Sequence, residues 1–131
     1  MFPARFEYLD EIREYVGQKA HAAGFLDKDV YSIQLAADEA ASNIIEHAYE
    51  GNPDASFEVS CVFEKDRLII TMLDNGKSFD LTKVVKPDLK ADLSRRKIGG
   101  LGIYLMRKLM DEVRYEVTAS GNLLTLIKLK E

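Results

Sequence analysis

The sequence predicts an α+β fold: a two-layer α/β sandwich with helices on one face of a mainly antiparallel sheet. Three observations carry that prediction. Apolar residues recur at helical spacing in two early segments, alternating apolar runs come in two closely joined pairs, and helices and strands arrive in blocks rather than in strict alternation. At 131 residues and 47% hydrophobic, the chain is the size of one domain with one sizeable core, so a single domain over residues 1–131 is expected.

The elements follow in order. The opening "FPAR" reads as a stub of an edge strand. Leu9, Ile12, Val16, Ala20 and Ala23 predict an amphipathic helix from about Glu7 to Ala23, ended by Gly24. Asp27 is expected to cap a second helix, whose stripe is Val30, Ile33, Ala37, Ala40, Ile44 and Ala48 and whose end is Gly51-Asn52-Pro53-Asp54. "SFEVSCVFE" and "RLIITMLD", joined by Lys65-Asp66, predict an antiparallel hairpin; the second run is apolar on both faces and should be central. Neither strong period appears from Asn75 to Lys97, where Pro87 interrupts the middle, and this predicts a long loop with at most one short helical turn, of the kind that is functional or mobile in small domains. A third helix is expected from about Gly100 to Met110. "EVRYEVTA" and "NLLTLIKLK" then flank Ser120-Gly121 as a second hairpin. With Lys128 and Lys130 assigned to solvent, alternation turns Leu123, Thr125, Ile127 and Leu129 inward.

Composition narrows the function classes. No run approaches the roughly 18 apolar residues of a membrane span, and the N-terminus has no export signal, so a cytoplasmic protein is expected. The net charge of −4 argues against a nucleic-acid surface. Charge is nonetheless uneven: Lys77 to Ile98 holds seven basic and three acidic residues, a net +4 against −8 elsewhere, and runs directly into "KIGGLGIYL". The lone Cys61 shares a strand face with Phe57, Val59 and Phe63, which makes it a core thiol rather than a nucleophile.

Three constellations bear chemistry. In "DEAASNIIEHAYEG", Glu39, Asn43 and His47 fall at i, i+4 and i+8, one line along the second helix beside its apolar stripe. A carboxylate at the edge of a core can accept a proton, and a carboxamide oxygen is a neutral hard ligand of the kind Mg²⁺ takes. In "LDNGKSFD" an apolar strand ends at Asp74 and turns at Asn75-Gly76; a rim aspartate can accept from an exocyclic amino group, and glycine lets a flat ring approach. In "KIGGLGIYL" Gly99, Gly100 and Gly102 expose backbone N–H groups before a helix, where phosphate is the natural guest. There is no Gly-Lys-Ser/Thr after these glycines, so this is not the usual phosphate loop.

Together, the order and spacing resemble the Bergerat ATP-binding fold of sensor histidine kinases, type II topoisomerases, a heat-shock chaperone and MutL. Glu39-Ala-Ala-Ser-Asn43 with His47 looks like that superfamily's N box, Asp74-Asn-Gly76 its first glycine box and Gly100-Leu101-Gly102 its second. Within it, "DEAASNIIEHAYEG" and "GGLGIYLMRKLMDEV" look most like bacterial anti-sigma-factor serine/threonine kinases of the RsbW and SpoIIAB type, over about Pro3 to Lys128. The resemblance implies ATP and Mg²⁺ as ligands, Asn43 on the metal and Glu39 as general base toward a partner serine. It implies Asp74 on the adenine amino group, Gly76 beneath the ring and Phe79 beside it. His47, Gly99, Gly100, Leu101 and Gly102 would complete the nucleotide site. Residues 77–98 would be the ATP lid, bringing Arg95 or Arg96 to the terminal phosphate. Where the family often has Gly-Thr before the last strand this chain has Gly121-Asn122, and Thr125 is the substitute expected for the adenine-side hydroxyl.

The implied partners are a STAS-domain anti-sigma factor antagonist, phosphorylated on serine, and a sigma factor or analogous regulator, with a possible homodimer; no nucleic acid or membrane is expected. The alternative is a nucleotide-gated binding module without transfer. A sensor histidine kinase is disfavoured because only His21 and His47 are present and no dimerisation helix pair precedes the domain.

Overall fold

The computed structural model of the chain describes residues 1–48, 55–76 and 100–130. In chain order these form β1 (Phe2–Pro3), a 3₁₀ turn (Phe6–Tyr8), α1 (Leu9–Ala22), α2 (Asp27–Asn43) continuing as a π-helical segment (Ile44–Ala48), β2 (Ser56–Glu64), β3 (Arg67–Asp74), α3 (Gly100–Leu109), β4 (Glu112–Thr118) and β5 (Gly121–Leu129). The strands make one sheet in the order β1-β2-β3-β5-β4, each neighbouring pair antiparallel. The fold is α+β, as the sequence predicts.

The core lies between the helices and one face of the sheet. Ile12, Val16 and Ala20 of α1, Ile33, Ala37 and Ala40 of α2 and Met106 of α3 share one buried cluster with Leu68, Ile70 and Met72 of β3 and Leu124 and Leu126 of β5. Each large aliphatic side chain removed from water there contributes about 1.5–3 kcal/mol. Ala36, Ala37, Ala40 and Ala41 of α2 are fully buried, small residues on the helix that packs against both α1 and α3. Gly24 ends α1 at φ +90, and Phe25 N–H bonds the Ala20 carbonyl, a Schellman stop that turns Phe25 into the core.

A polar clasp joins α1 to α2. Arg13 pairs with Asp38 at 3.0 Å and with Asp10 at 2.9 Å, and the Arg13 carbonyl accepts from Gln34 Nε2 at 3.1 Å. Gln34 can lie there because Gly17 has no side chain: a Cβ at that position would stand 2.3 Å from Gln34 Nε2. The Arg13 guanidinium holds its proton more tightly than usual, first through its hydrogen bond to Asp38.

Three local expectations are corrected. Asp27 does not cap α2. The extended Leu26 is the N-cap and makes no side-chain cap bond, while Asp27 and Asp29 stand in the first turn, where negative charge favours the helix dipole. The second helix does not run on as a regular α-helix: beyond Asn43 it widens into the π-helical segment, and its expected end at Gly51–Asp54 lies outside the described residues.

The third correction concerns the faces of β5. Asn122, Leu124 and Leu126 are buried toward the helices, so Leu123, Thr125, Ile127 and Leu129 lie on the opposite, helix-free face. The lysine misled the alternation. Lys128 is on the helix side, where its stem runs inward and Nζ donates to the Leu109 carbonyl at 3.0 Å, satisfying an end carbonyl of α3.

Candidate functional site

The site's first part comes from α2. Glu39 and Asn43 sit on successive turns, separated by about 6 Å of helix rise, and both are half-buried. Asn43 Nδ2 is fully buried and, among the described residues, has no hydrogen-bond partner. An orphaned N–H donor of this kind costs about 1–3 kcal/mol, and an acceptor such as a phosphate or water oxygen would relieve it. The change to π-helical winding starts at the next residue, Ile44, and such segments are frequent at functional sites.

The second part is a corner where the end of β3 meets the start of β5. Asp74 and Asn122 are cross-strand partners 48 residues apart in sequence and are only 4% and 3% exposed. Asp74 Oδ1 accepts from the Gly76 backbone N–H at 2.9 Å, an Asx turn that folds the chain back over the carboxylate. The same oxygen accepts from Asn122 Nδ2 at 2.9 Å, and that nitrogen also donates to the Gly76 carbonyl at 2.9 Å. Asp74, Gly76 and Asn122 are therefore one hydrogen-bonded unit. Both bonds accepted by Asp74 among the described residues fall on Oδ1, which leaves Oδ2 to accept from a guest.

Gly121 makes this corner sterically possible. Its φ is +131, and a Cβ there would stand 2.3 Å from the Asp74 carbonyl oxygen and 2.7 Å from Asn75 Oδ1. The Ala119-Ser120 turn is itself tied down, with Thr118 Oγ1 donating to the Gly121 carbonyl at 2.8 Å and accepting from Ser120 N–H at 3.1 Å.

Of the site residues expected from sequence, the structure brings Asp74 and Gly76 together and sets Glu39 and Asn43 on one helix. His47 falls within the π-helical segment, and Gly100, Leu101 and Gly102 form the first turn of α3. Phe79, Arg95, Arg96 and Gly99 lie outside the described residues, as does the segment expected to be the lid. Thr125 is corrected: it pairs with Thr71 on the helix-free face, across the sheet from the face that carries Asp74. Asn122 holds the position beside Asp74 instead. The signal for it was in the sequence, since Gly121-Asn122 stands where the family pattern has Gly-Thr.

The donor chemistry fits Mg²⁺. Among the described residues no group of three His, Cys, Asp or Glu side chains could enclose a metal. One carboxamide and a nearby carboxylate suit a cation that draws most of its ligands from water and phosphate oxygens. No helix of the described residues is long and apolar enough to cross a membrane.

Comparison with known proteins gives the family. Residues 2–128 match the histidine kinase-like ATPase domain family. A serine-protein kinase RsbW of Listeria monocytogenes is 34% identical over 116 residues, covering 86% of this chain and 74% of the relative. A serine-protein kinase RsbW of Bacillus pumilus is 35% identical over 124 residues, covering 89% and 76%. The catalytic domain of the histidine kinase ThkA shares the fold, with a TM-score of 0.61 at 14% identity over 95% of this chain and 91% of that one. The chain belongs to the histidine kinase-like ATPase domain family and, within it, to the serine-protein kinases.

Proposed function

We propose that this ATP-using serine kinase is an anti-sigma-type regulator of the bacterial cytoplasm, which binds a sigma factor or similar target and phosphorylates a STAS-domain anti-sigma factor antagonist on serine. The observation that carries the transfer step is Glu39 one helical turn before Asn43, whose buried carboxamide nitrogen lacks a partner among the described residues. In this reading Asn43 holds Mg²⁺, which when bound offsets charge on the phosphates. Glu39 takes the proton of the partner's serine hydroxyl as its oxygen attacks the terminal phosphorus, and ADP leaves with the bridging oxygen. Asp74 accepts from the adenine amino group through Oδ2, and the first turn of α3 offers backbone N–H groups to phosphate. Relatives named serine-protein kinases support the activity. The partners and a homodimer rest on the family resemblance, and co-purification and light scattering are their measurements.

The test is transfer from γ-labelled ATP to a STAS-domain protein encoded near this chain's gene. Glu39→Gln should lower the rate at least about a hundredfold while nucleotide affinity stays within about threefold. Asn43→Ala should weaken Mg-ATP at least about tenfold by calorimetry and leave the unfolding midpoint near that of the parent. Undiminished transfer by Glu39→Gln would remove the general base, and labelled antagonist never appearing despite ATP binding would remove the kinase–antagonist assignment.

A further inference from the structure

We propose that Asn122 is a positioning residue that sets base selectivity, by aiming Asp74 Oδ2 at the exocyclic amino group of the bound purine. This rests on the nucleotide reading of the corner and deepens it. A carboxamide nitrogen carries two hydrogens, and both are spent here: one on Asp74 Oδ1 at 2.9 Å and one on the Gly76 carbonyl at 2.9 Å. Because each of those partners is an acceptor only, the nitrogen and not the oxygen of the carboxamide faces them. Asn122 is 3% exposed, so the group has little room to turn away.

The consequence is directional. With Oδ1 held by the Gly76 N–H and by Asn122, rotation of the Asp74 carboxylate is blocked and Oδ2 keeps one orientation. A donor on the purine edge is then matched, a carbonyl in that position meets a fixed acceptor, and a bare C–H leaves the buried oxygen unpaired. A hydroxyl in place of the carboxamide has a single hydrogen and could hold the carboxylate or the Gly76 carbonyl, but not both. The Gly121-Asn122 departure from Gly-Thr therefore makes the corner stiffer, and stiffness at the acceptor gives discrimination.

The experiment measures the affinities of ATP, GTP and purine riboside triphosphate, which lacks the exocyclic amino group, for the full chain and for N122T, N122A and N122D. The parent should prefer ATP to purine riboside triphosphate by about tenfold or more, the size of one hydrogen bond to a charged acceptor. In N122T and N122A that preference should fall to about threefold or less, whereas a merely structural role would weaken the nucleotides in parallel. N122D sets a second carboxylate against Asp74 and should bind ATP worst. Thermal unfolding of each variant in the absence of nucleotide identifies folded ones, and N122T, which keeps a polar group of smaller size, carries the comparison if N122D does not fold. A parent that prefers ATP, with N122T and N122A keeping the same preference, overturns the role of Asn122 alone. A parent that binds none of the three overturns the nucleotide reading and this inference with it.

Discussion

At the scale of single residues, burial decides what a group can do. Cys61 sits among Phe57, Ile70 and the α1 side of the core, and burial pushes its thiol up from 9.0 to about 11, with Lys19 acting weakly in the other direction. The unfolded chain therefore gives up this proton first. Between about pH 9 and 11 the folded state binds more protons, so this contribution to stability is intact below about pH 9 and is lost as pH rises through the folded value. Cys61→Ala should flatten that part of the alkaline decline, read from urea unfolding at intervals across the window, even though the smaller side chain lowers stability at neutral pH. Thiol reagents at pH 8 should label the folded protein far more slowly than the urea-unfolded one. Asp74 is buried too, and there two N–H donors meet Oδ1.

Among the elements, the β2–β3 hairpin shows backbone strain accepted for register. Lys65 and Asp66 both take left-handed conformations, at φ 51 and 59, which is the type I′ turn that matches strand twist. Neither is the residue that adopts it most cheaply. Lys65→Asn with Asp66→Gly should raise stability by about 1 kcal/mol, measured as a shifted urea midpoint with unchanged slope, because the Lys130 N–H to Asp66 carbonyl bond is backbone and survives. Both hairpins were legible in the sequence, since Leu68, Ile70 and Met72 alternate with Ile69 and Thr71 and the turns are short. The inward face of β5 was not. Leu123, Leu124, Leu126 and Ile127 make both faces apolar, so the decision fell to Lys128, whose aliphatic stem can pass along the core while its amine bonds α3. The π-helical winding after Asn43 leaves no trace in residue spacing, because the buried pair Ile44 and Ile45 is also compatible with the apolar stripe of an ordinary α-helix.

At the scale of the whole molecule, charge and topology combine. The chain carries −4 overall, yet residues 77–98 carry +4, an attractive stretch for phosphate on an otherwise repulsive protein. Raising salt from roughly 0.05 M to 0.5 M should weaken ATP binding several-fold, with purine riboside triphosphate weakened in proportion, since screening acts on phosphate and not on the base. Equal affinity at both salts would show that the cations of residues 77–98 contribute nothing to binding. The fold class, the helix bearing Glu39 and Asn43 and the rim aspartate could all be read from the chain because each is local. Asn122 could not be assigned its partner from local pattern, since that partner is set by strand order.

That strand order also bears on how the chain reaches its native form. Asp74 and Asn122 meet only when β3 and β5 pair in register, after the residues between them have been looped out, one of the long-range closures that slow folding. A slip of one residue would turn Asn122 to the helix-free face and leave the buried carboxylate without its amide. Competence to bind a base should therefore appear late in refolding, and a nucleotide would select correctly registered molecules from those that had collapsed in a near-miss.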